Sequence, residues 1–491
     1  MREPAFRLIP GSQVQHPPEA RAIDYFAFFF DDVMWERLVE ETNRYAEQQR
    51  AANPPSAAAP RWDPVTVTVV KAFVGLTLAM GILRLPHRHD YWRKVKWLFA
   101  TQFSQVMSRD RFDLIWRYFH LQDNTVQPAE TDALWKLRWY IDHLVNNFKD
   151  TYIPDEHVTI DESMVKFKGR LAFRQYLPSK PTKWGVKVWS LCESNTGYTW
   201  NLQVYTGRVA GQQEHGLPYR VVTQLTEDLQ GSYMKIMMDN FYTGVELLEA
   251  LRARGLLACG TVRANRRGLP VDLLPRNVNL HRGEFRVAQK DDLMCSVWMD
   301  TRAVLILSNY HHPAARGSVE RRNQQGVRGP VPVPKALEDY QLYMKGVDLC
   351  DQMIGYHLIN HRSKKWWRRL YFYLQMVAVH NSYIVAKESN PVESAAQWPV
   401  FQDFVEDLSL ELIGDVRSAR AAPLVPAPQR ATALHEVVKM YEHYKTCREC
   451  ALRAGPSQRR GVTKYGCRQC QEPVHQTGDC VADHVRRHMT Q

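Results

Sequence analysis

HVTIDESMVKF (157–167), KWGVKVWSLCES (183–194) and TWNLQVYTG (199–207) alternate or run apolar over strand lengths, with the turn signal NTG (195–197) before the third. LPYRVVTQLTEDL (217–229) then reads as a helix and KIMMDN (235–240) as a strand. VELLEALRARG (245–255) follows as a helix and LLACGTVR (256–263) as a strand. Three strands followed by alternating helix and strand predict an α/β core. The hydrophobic period changes near residue 155, because the chain before it reads as helices.

That order is the order of an RNase H-like domain. In such a domain two carboxylates sit on or beside the first and fourth strands, and a third comes from a later helix. Asp161, Asp239 and Asp348 occupy those places, and Asp351 follows Asp348 at helical spacing, on one face. Each interrupts or ends an apolar stretch, where an ionised carboxylate is costly unless a cation or a donor neutralises it. Carboxylates gathered from distant segments repel one another, so the set predicts bound metal, with Mg²⁺ the best match to hard oxygen ligands. Two such ions roughly 3.5–4 Å apart suit phosphodiester chemistry. Glu162 falls on the opposite face of its strand from Asp161 and is left out of the set.

Working outward, DDVMWERLVEETNRYAEQQR (31–50), VTVVKAFVGLTLAMGILRL (67–85), SRDRFDLIWRYFHLQ (108–122) and DALWKLRWYIDHLVNNFKDTY (132–152) read as helices, with a loop, AANPPSAAAPRWDP (51–64), after the first. Residues 1–20 lack periodicity and read as poorly ordered. LEDYQLYMKGVDLCDQMIGY (337–356) reads as one helix carrying Asp348 and Asp351, and residues 361–388 as another. RSARAAPLVPAPQRATA (417–433) reads as an Ala/Pro linker. The 491 residues predict about two to four domains. A formal charge of +12 favours a polyanionic partner, and no segment reads as a signal peptide or a membrane span. Five of the nine cysteines crowd into the last 45 residues, which fits a reducing compartment and a metal-bound tail better than a disulfide framework.

IDESMVKFKGR (160–170), RQYLPSKPTKWGVKVW (174–189), MDNFYTG (238–244), GTVRANRRGLP (260–270) and MKGVDLCDQM (344–353), with the Cys/His tail, resemble the piggyBac family of DNA transposases. The resemblance runs from about Asp24 to near the C-terminus, with the blocks in the family's order. It implies an RNase H-like catalytic core (155–265 and 335–357) split by a β-rich insertion domain (266–334). A helical dimerisation and DNA-binding region (21–154 and 358–414) flanks that core, and a linker (415–438) leads to a cross-brace zinc finger (439–491). It implies a nuclear setting, a homodimer holding two transposon ends, and catalysis by Asp161, Asp239, Asp348 and Asp351 through two Mg²⁺ ions. Nicking at transposon ends, hairpin formation and joining into a TTAA target are the family's steps. Such transposases often carry a longer acidic N-terminal segment, which this sequence lacks.

In the tail, Cys447 and Cys450, Cys467 and Cys470, then His475, Cys480, His484 and His488 supply eight ligands, enough for two tetrahedral Zn²⁺ sites. The resemblance implies interleaving, with the first and third pairs on one ion and the second and fourth on the other. His443 is a spare candidate. Loops bearing Arg459, Arg460, Arg486 and Arg487 would read transposon-end DNA, and a protein-interaction finger is the alternative.

Basic patches complete the picture. Arg263, Arg266 and Arg267 follow a strand of the core and form a DNA-binding patch, and the resemblance implies that target DNA passes Arg263 and Arg266. Lys168 and Arg170 in FKGR, and Lys180 and Lys183 in PSKPTKWG, are expected to contact DNA phosphates near the metals. Lys364, Lys365, Arg368 and Arg369 flank Trp366 and Trp367, and can hold phosphates beside an aromatic. The basic patches and the resemblance together point to double-stranded DNA, the resemblance implies a second copy of the chain as a partner, and no membrane is expected. Two other readings share the scaffold: a transposase-derived DNA- or chromatin-binding protein without catalysis, and a metal-dependent nuclease without strand transfer.

Overall fold

A computed structural model describes residues 4–16, 19–56, 59–93, 102–126, 132–207, 216–322, 325–359, 361, 363–421, 437–453, 462–467, 472–475, 480 and 484. The chain divides into two compact units, Met1–Arg417 and Ser418–Gln491, each taken by itself below.

In the first unit a short strand, β1 (Gly11–Ser12), precedes the helices α1 (Ala22–Ala27), α2 (Asp32–Ala52), α3 (Val67–Ile82), α4 (Gln102–Val106), α5 (Arg109–Tyr118) and α6 (Arg138–Thr151). The three starts with side-chain caps follow one rule: Asp31, Thr66 and Ser108 each accept the backbone N–H three residues on. Asp31 also accepts from His143 Nε2 at 2.7 Å, which ties α2 to α6. α3 buries Phe73, Leu76, Leu78 and Met80, each contributing about 1.5–3 kcal/mol of hydrophobic stabilisation.

The N-terminal segment differs from the expectation of disorder. β1 pairs antiparallel with β2 (Tyr152–Ile153), Arg7 N–H donates to Ser232 O, and Phe6 and Leu8 pack on the core. An edge of backbone and an apolar surface were available to it, and neither shows in local sequence.

The strands then follow as β3 (His157–Lys166), β4 (Gln175–Tyr176), β5 (Trp184–Glu193) and β6 (Thr199–Val204). After them come α7 (Leu217–Leu225), β7 (Lys235–Met238), α8 (Val245–Ala253) and β8 (Leu257–Thr261). Next are β9 (Phe285–Lys290), β10 (Leu293–Met299) and β11 (Ala303–Ser308), and then β12 (Arg316–Arg322) with β13 (Arg328–Pro334). Among the described residues one sheet has nine strands in the order β4-β5-β3-β7-β8-β11-β10-β9, with β6 also pairing β5. β3 runs antiparallel to β5 and β5 to β6, whereas β3–β7 and β7–β8 are parallel. The segment expected as a separate insertion therefore divides. β11 pairs with β8 through Ile306↔Thr261 to Ser308↔Cys259, so β9–β11 continue the main sheet, while β12 and β13 form a ribbon of their own.

The helices α9 (Lys335–Tyr343), α10 (Gly346–His357), α11 (Trp366–Ser389), α12 (Pro391–Gln397) and α13 (Phe401–Ala421) close this part of the chain. The single helix expected over 337–356 is broken at Met344–Lys345. The break lets α10 start against β5: a Cβ on Gly346 would meet Glu193 O at 2.5 Å. Only glycine permits that approach. α11 is buried on nearly every side and packs on α1, α6, α10 and β3. α13 runs into the expected linker as far as Ala421, and residues 422–436 lie outside the described residues.

The second unit holds two small antiparallel pairs, β14 (Val437–Lys439) with β17 (Tyr465–Cys467) and β15 (Lys445–Thr446) with β16 (Val462–Thr463), and a helix, α14 (Arg448–Arg453). Among the described residues of the chain, no helix is long and apolar enough to cross a membrane.

Candidate active site and metal clusters

Ile160↔Met238 is the last pair of the parallel β3–β7 ladder. The next residue on each strand is Asp161 and Asp239, so the two carboxylates leave the ladder side by side at the C-terminal end of β7. Strand spacing of about 4.8 Å makes them neighbours. Their backbones hold them there: Glu162 N–H donates to Asp161 Oδ1 (2.8 Å) and Phe241 N–H to Asp239 Oδ1 (2.8 Å).

α10 brings the other two. Thr159, on the same face of β3 as Asp161, donates to Tyr343 O (2.7 Å) and accepts Gly346 N–H (3.4 Å), which pins the start of α10 to the strand. Asp348 then lies exposed in the first turn, and Asp351 half-buried one turn on. Ser163 is also on that face of β3, and Tyr373 OH lies 3.5 Å from Asp351 Oδ1.

Burial lifts the Asp161 carboxyl to about 7; the charges of Glu162 and Asp239 add to the rise, and Lys180 opposes it. Burial also raises Asp239, helped by Glu162. Asp351 is pushed up to about 7, by burial first and then by the Cys350 sulfur and Asp348, against Ser163 and Lys180. The Lys180 ammonium is the counter-charge that Asp161 and Asp351 share. It lies 3.8 Å from Asp161 Oδ2 and 3.6 Å from Glu162 Oε1, and donates to Glu162 O at 3.0 Å. Burial would lower its pKa, but Asp161, Glu162, Asp348 and Asp351 together raise it.

Two expectations are refined here. Glu162 was set aside as facing away, yet Lys180 reaches both it and Asp161, and Lys187 Nζ and Tyr242 OH also approach it, at 3.7 and 3.4 Å. β3 stays in regular register with β5 through Lys166, so Glu162 keeps the opposite face from Asp161, beside Lys187, and Lys180 reaches both around the edge that β7 leaves free past Ile160. Lys180, expected on a phosphate, is occupied by carboxylates. Sequence spacing carries no signal for either, because 18 residues separate Lys180 from its partner Glu162.

The donor set fits divalent metal. It is all oxygen, its charges are gathered in partly buried surroundings, and a side-chain cation already stands among them. Among the described residues no three of these carboxylates bring oxygens within 4.8 Å of one another, so the group lines a gap rather than closing on one point.

The other basic residues fall into two classes. Lys168, Arg170, Lys183, Arg263, Arg267 and Lys364 are exposed. Arg263 Nε donates to Asn240 Oδ1 (2.9 Å) and Arg266 Nη2 to Phe241 O (2.5 Å), so both brace the loop that follows Asp239. The patch around Trp366 and Trp367 is narrower than expected. Arg368 is buried and donates to Arg117 O (2.9 Å) at the end of α5, and burial brings its pKa down to about 10. Arg369 donates to Lys166 O (3.2 Å), and Trp367 is core. Lys365 is half-buried over the Tyr45 ring. Helix packing, not solvent, takes up the inner half of this patch.

In the second unit Cys447, Cys450, His475 and Cys480 bring their ligand atoms within 4.8 Å of one another. Cys450 Sγ lies 3.5 Å from Cys480 Sγ and 3.4 Å from His475 Nδ1, close to the ~3.8 Å sulfur–sulfur edge of a tetrahedral zinc–thiolate site. His475 Nε2 meets Val462 O at 3.1 Å, which leaves Nδ1 as the lone-pair nitrogen facing the sulfurs. Burial alone would raise the Cys447 thiol; backbone N–H groups of Cys450, His475 and Glu449 outweigh it and hold it below the ordinary value. These four are the first and third pairs of the sequence pattern. Of the other set, Cys467 and His484 are buried, with His484 Nδ1 3.4 Å from Glu449 Oε1 and 3.7 Å from Glu472 Oε2. Cys470, His488 and the arginines 459, 460, 486 and 487 lie outside the described residues. His443, the spare candidate, is not part of either ligand group.

Residues 21–383 match the family described as Transposase IS4, and human PiggyBac transposable element-derived protein 5 is 25% identical over 432 residues, covering 84% of this chain and 79% of that protein. The chain belongs to the piggyBac transposase family. Human PiggyBac transposable element-derived protein 3 is 28% identical over 383 residues, 74% of this chain, which spans 61% of that relative's length. A piggyBac transposase, solved by cryo-EM as a synaptic complex with hairpin DNA, shares the fold with a TM-score of 0.73 at 24% identity over 85% of each chain.

Proposed function

We propose that this chain is a metal-dependent DNA transposase whose catalytic carboxylates are Asp161, Asp239, Asp348 and Asp351. The observation that carries this is the side-by-side exit of Asp161 and Asp239 from paired parallel strands, with α10 fixed by Thr159 over the same gap. The strand order β6-β5-β3-β7-β8 supports an RNase H-like core. Asp161 and Asp239 would hold two Mg²⁺ ions, Asp348 would complete the set, and Asp351 would bind directly or orient Asp348. Bound there, the ions would supply Lewis-acid activation of the attacking hydroxyl and stabilisation of the departing 3′-oxygen. The protein's own contribution is placement: β3 and β7 fix two carboxylates, Tyr373 orients Asp351, and Arg263 and Arg266 stiffen the loop after Asp239.

DNA as substrate is supported by the family and by the hairpin DNA in the solved relative. Transposon-end nicking, hairpin formation, TTAA joining, a homodimer and a nuclear setting belong to the same reading. So do two zinc ions in the tail, one on Cys447, Cys450, His475 and Cys480. The names of the human relatives favour a second reading, an element-derived DNA-binding protein without catalysis. An excision assay comparing the unaltered chain with Asp161→Asn, Asp239→Asn and Asp348→Asn separates them. Excision by the unaltered chain alone is expected; DNA binding by all four with excision by none would replace the first reading with the second.

A further inference from the structure

The β12–β13 ribbon is not part of the carboxylate gap, and its surroundings point to a partner. Between residues 266 and 334 eleven basic residues stand against six acidic ones. The root of the ribbon is fixed. Val319 and Val333 are buried with Leu337 and Tyr340, Trp298 Nε1 donates to Pro332 O (3.0 Å), and Lys335 N–H donates to Ala315 O (3.2 Å). On the inner face Arg321 is neutralised by Asp300, with Nε 3.0 Å from Oδ2.

The outer face is different. Arg322 and Arg328 stand directly opposite each other across the ladder, and both are exposed. Like charges directly opposite on one sheet face are destabilising. Among the described residues neither arginine makes an ion pair, and the acid sharing their face is Glu320, one alternation down β12. A bound anion would turn this repulsion into an attraction.

The β13 edge of the ribbon is closed to another protein strand, and the β12 edge is partly occupied. Pro330, Pro332 and Pro334 lie at alternate positions of β13, and because they lack N–H groups that outer edge offers no donor at any of them. On the opposite edge the outward N–H of Ser318 already donates to Glu338 Oε1 (2.9 Å). Strand addition is thus disfavoured, while a polyanion recognised through side chains is not. A two-stranded ribbon is also of a width that the major groove of a duplex admits.

We propose that this ribbon is a DNA-contacting arm outside the carboxylate gap, with Arg322 and Arg328 gripping phosphates of one duplex. The proposal rests on DNA being the substrate. The test is fluorescence anisotropy of the full chain on a duplex oligonucleotide across a salt series, with and without Arg322→Ala/Arg328→Ala. Two lost phosphate contacts should reduce the slope of log affinity against log salt by about 1.8, since each contributes roughly 0.9. Arg322→Lys/Arg328→Lys, which keeps the charge, should retain the slope. Hydrogen exchange should also show DNA-dependent protection within residues 316–322 and 328–334 of the unaltered chain. An unchanged slope in the alanine variant, or a loss seen with duplex RNA and absent with duplex DNA, overturns the arm. If the unaltered chain does not bind duplex DNA at all, the substrate reading fails beneath it.

Discussion

The carboxylate gap of the first unit and the Cys/His cluster of the second both gather metal-type ligands from separated segments, but they do so in opposite ways. The gap uses hard oxygens that stay apart, with two carboxyls lifted to about 7 and a lysine among them. The tail uses sulfur and imidazole already at tetrahedral spacing, with backbone N–H groups stabilising one thiolate. An open oxygen set around a sheet edge suits ions that must admit a substrate. A closed sulfur set in a unit with a small core suits an ion that holds the fold. The first unit has a large hydrophobic core of its own, from which its fold is expected to survive without metal.

The largest effect should come from breaking the closed set. If the proposed zinc is bound, stripping it with a strong chelator, or changing Cys450→Ser, should unfold the second unit, since zinc binding in such small modules is worth about 10–16 kcal/mol. Hydrogen exchange across 437–484 would become fast while α11 stays protected. Protection persisting in the metal-free tail would show that the two regions do not differ as described.

In the open set the same kind of change should leave the fold intact and remove chemistry. Asp161→Asn or Asp239→Asn should cut excision by more than about 100-fold, beyond the 10–100-fold usual for residues that merely support a metal ligand. Thermal unfolding of the metal-free variants should match or exceed the parent, because each removes one of the repelling charges. A large drop in melting temperature would mean that the aspartates serve the fold.

Lys180→Gln sharpens the contrast further. Without its ammonium the metal-free first unit should lose about 1–2 kcal/mol. Added Mn²⁺ should restore most of it, as read by thermal melts with and without the ion. Equal loss in both conditions would assign Lys180 an ordinary packing role.

The smallest effect is on pH. Asp161 and Asp351 bind protons more tightly folded than unfolded, so the metal-free fold gains stability as pH falls from about 7 toward the ordinary carboxylate range near 4. Divalent ions need the deprotonated forms. Mn²⁺ affinity measured by calorimetry should therefore fall about threefold per titrating carboxylate between pH 7.5 and 6.5. Affinity flat across that interval would place both groups at their ordinary values.

Much of this contrast was legible in the chain. Alternation around Asp161, the apolar run ending at Asp239 and the i, i+3 pair on α10 are local patterns, and the CxxC spacings are as well. What stayed hidden depends on pairing between distant segments. β1 is a strand because β2 offers it an edge, and β9–β11 join the main sheet because β8 has a free side. Arg368 reads as a surface cation until α5 arrives to cover it. Glu162 does face away from Asp161 along β3, but β7 stops at Met238 and leaves an edge around which Lys180 reaches both. The break at Met344–Lys345 follows from a close approach that no propensity records.

That approach sets how far apart the two functional readings stand. With Glu193 O only 2.5 Å from where a Cβ on Gly346 would lie, a single added methyl must push α10 off its seat, two residues before Asp348. Sheet, helical bundle and basic surface would survive such a shift. A lineage could thus silence its cutting activity by one codon change and keep a folded DNA clamp, without touching any acidic side chain.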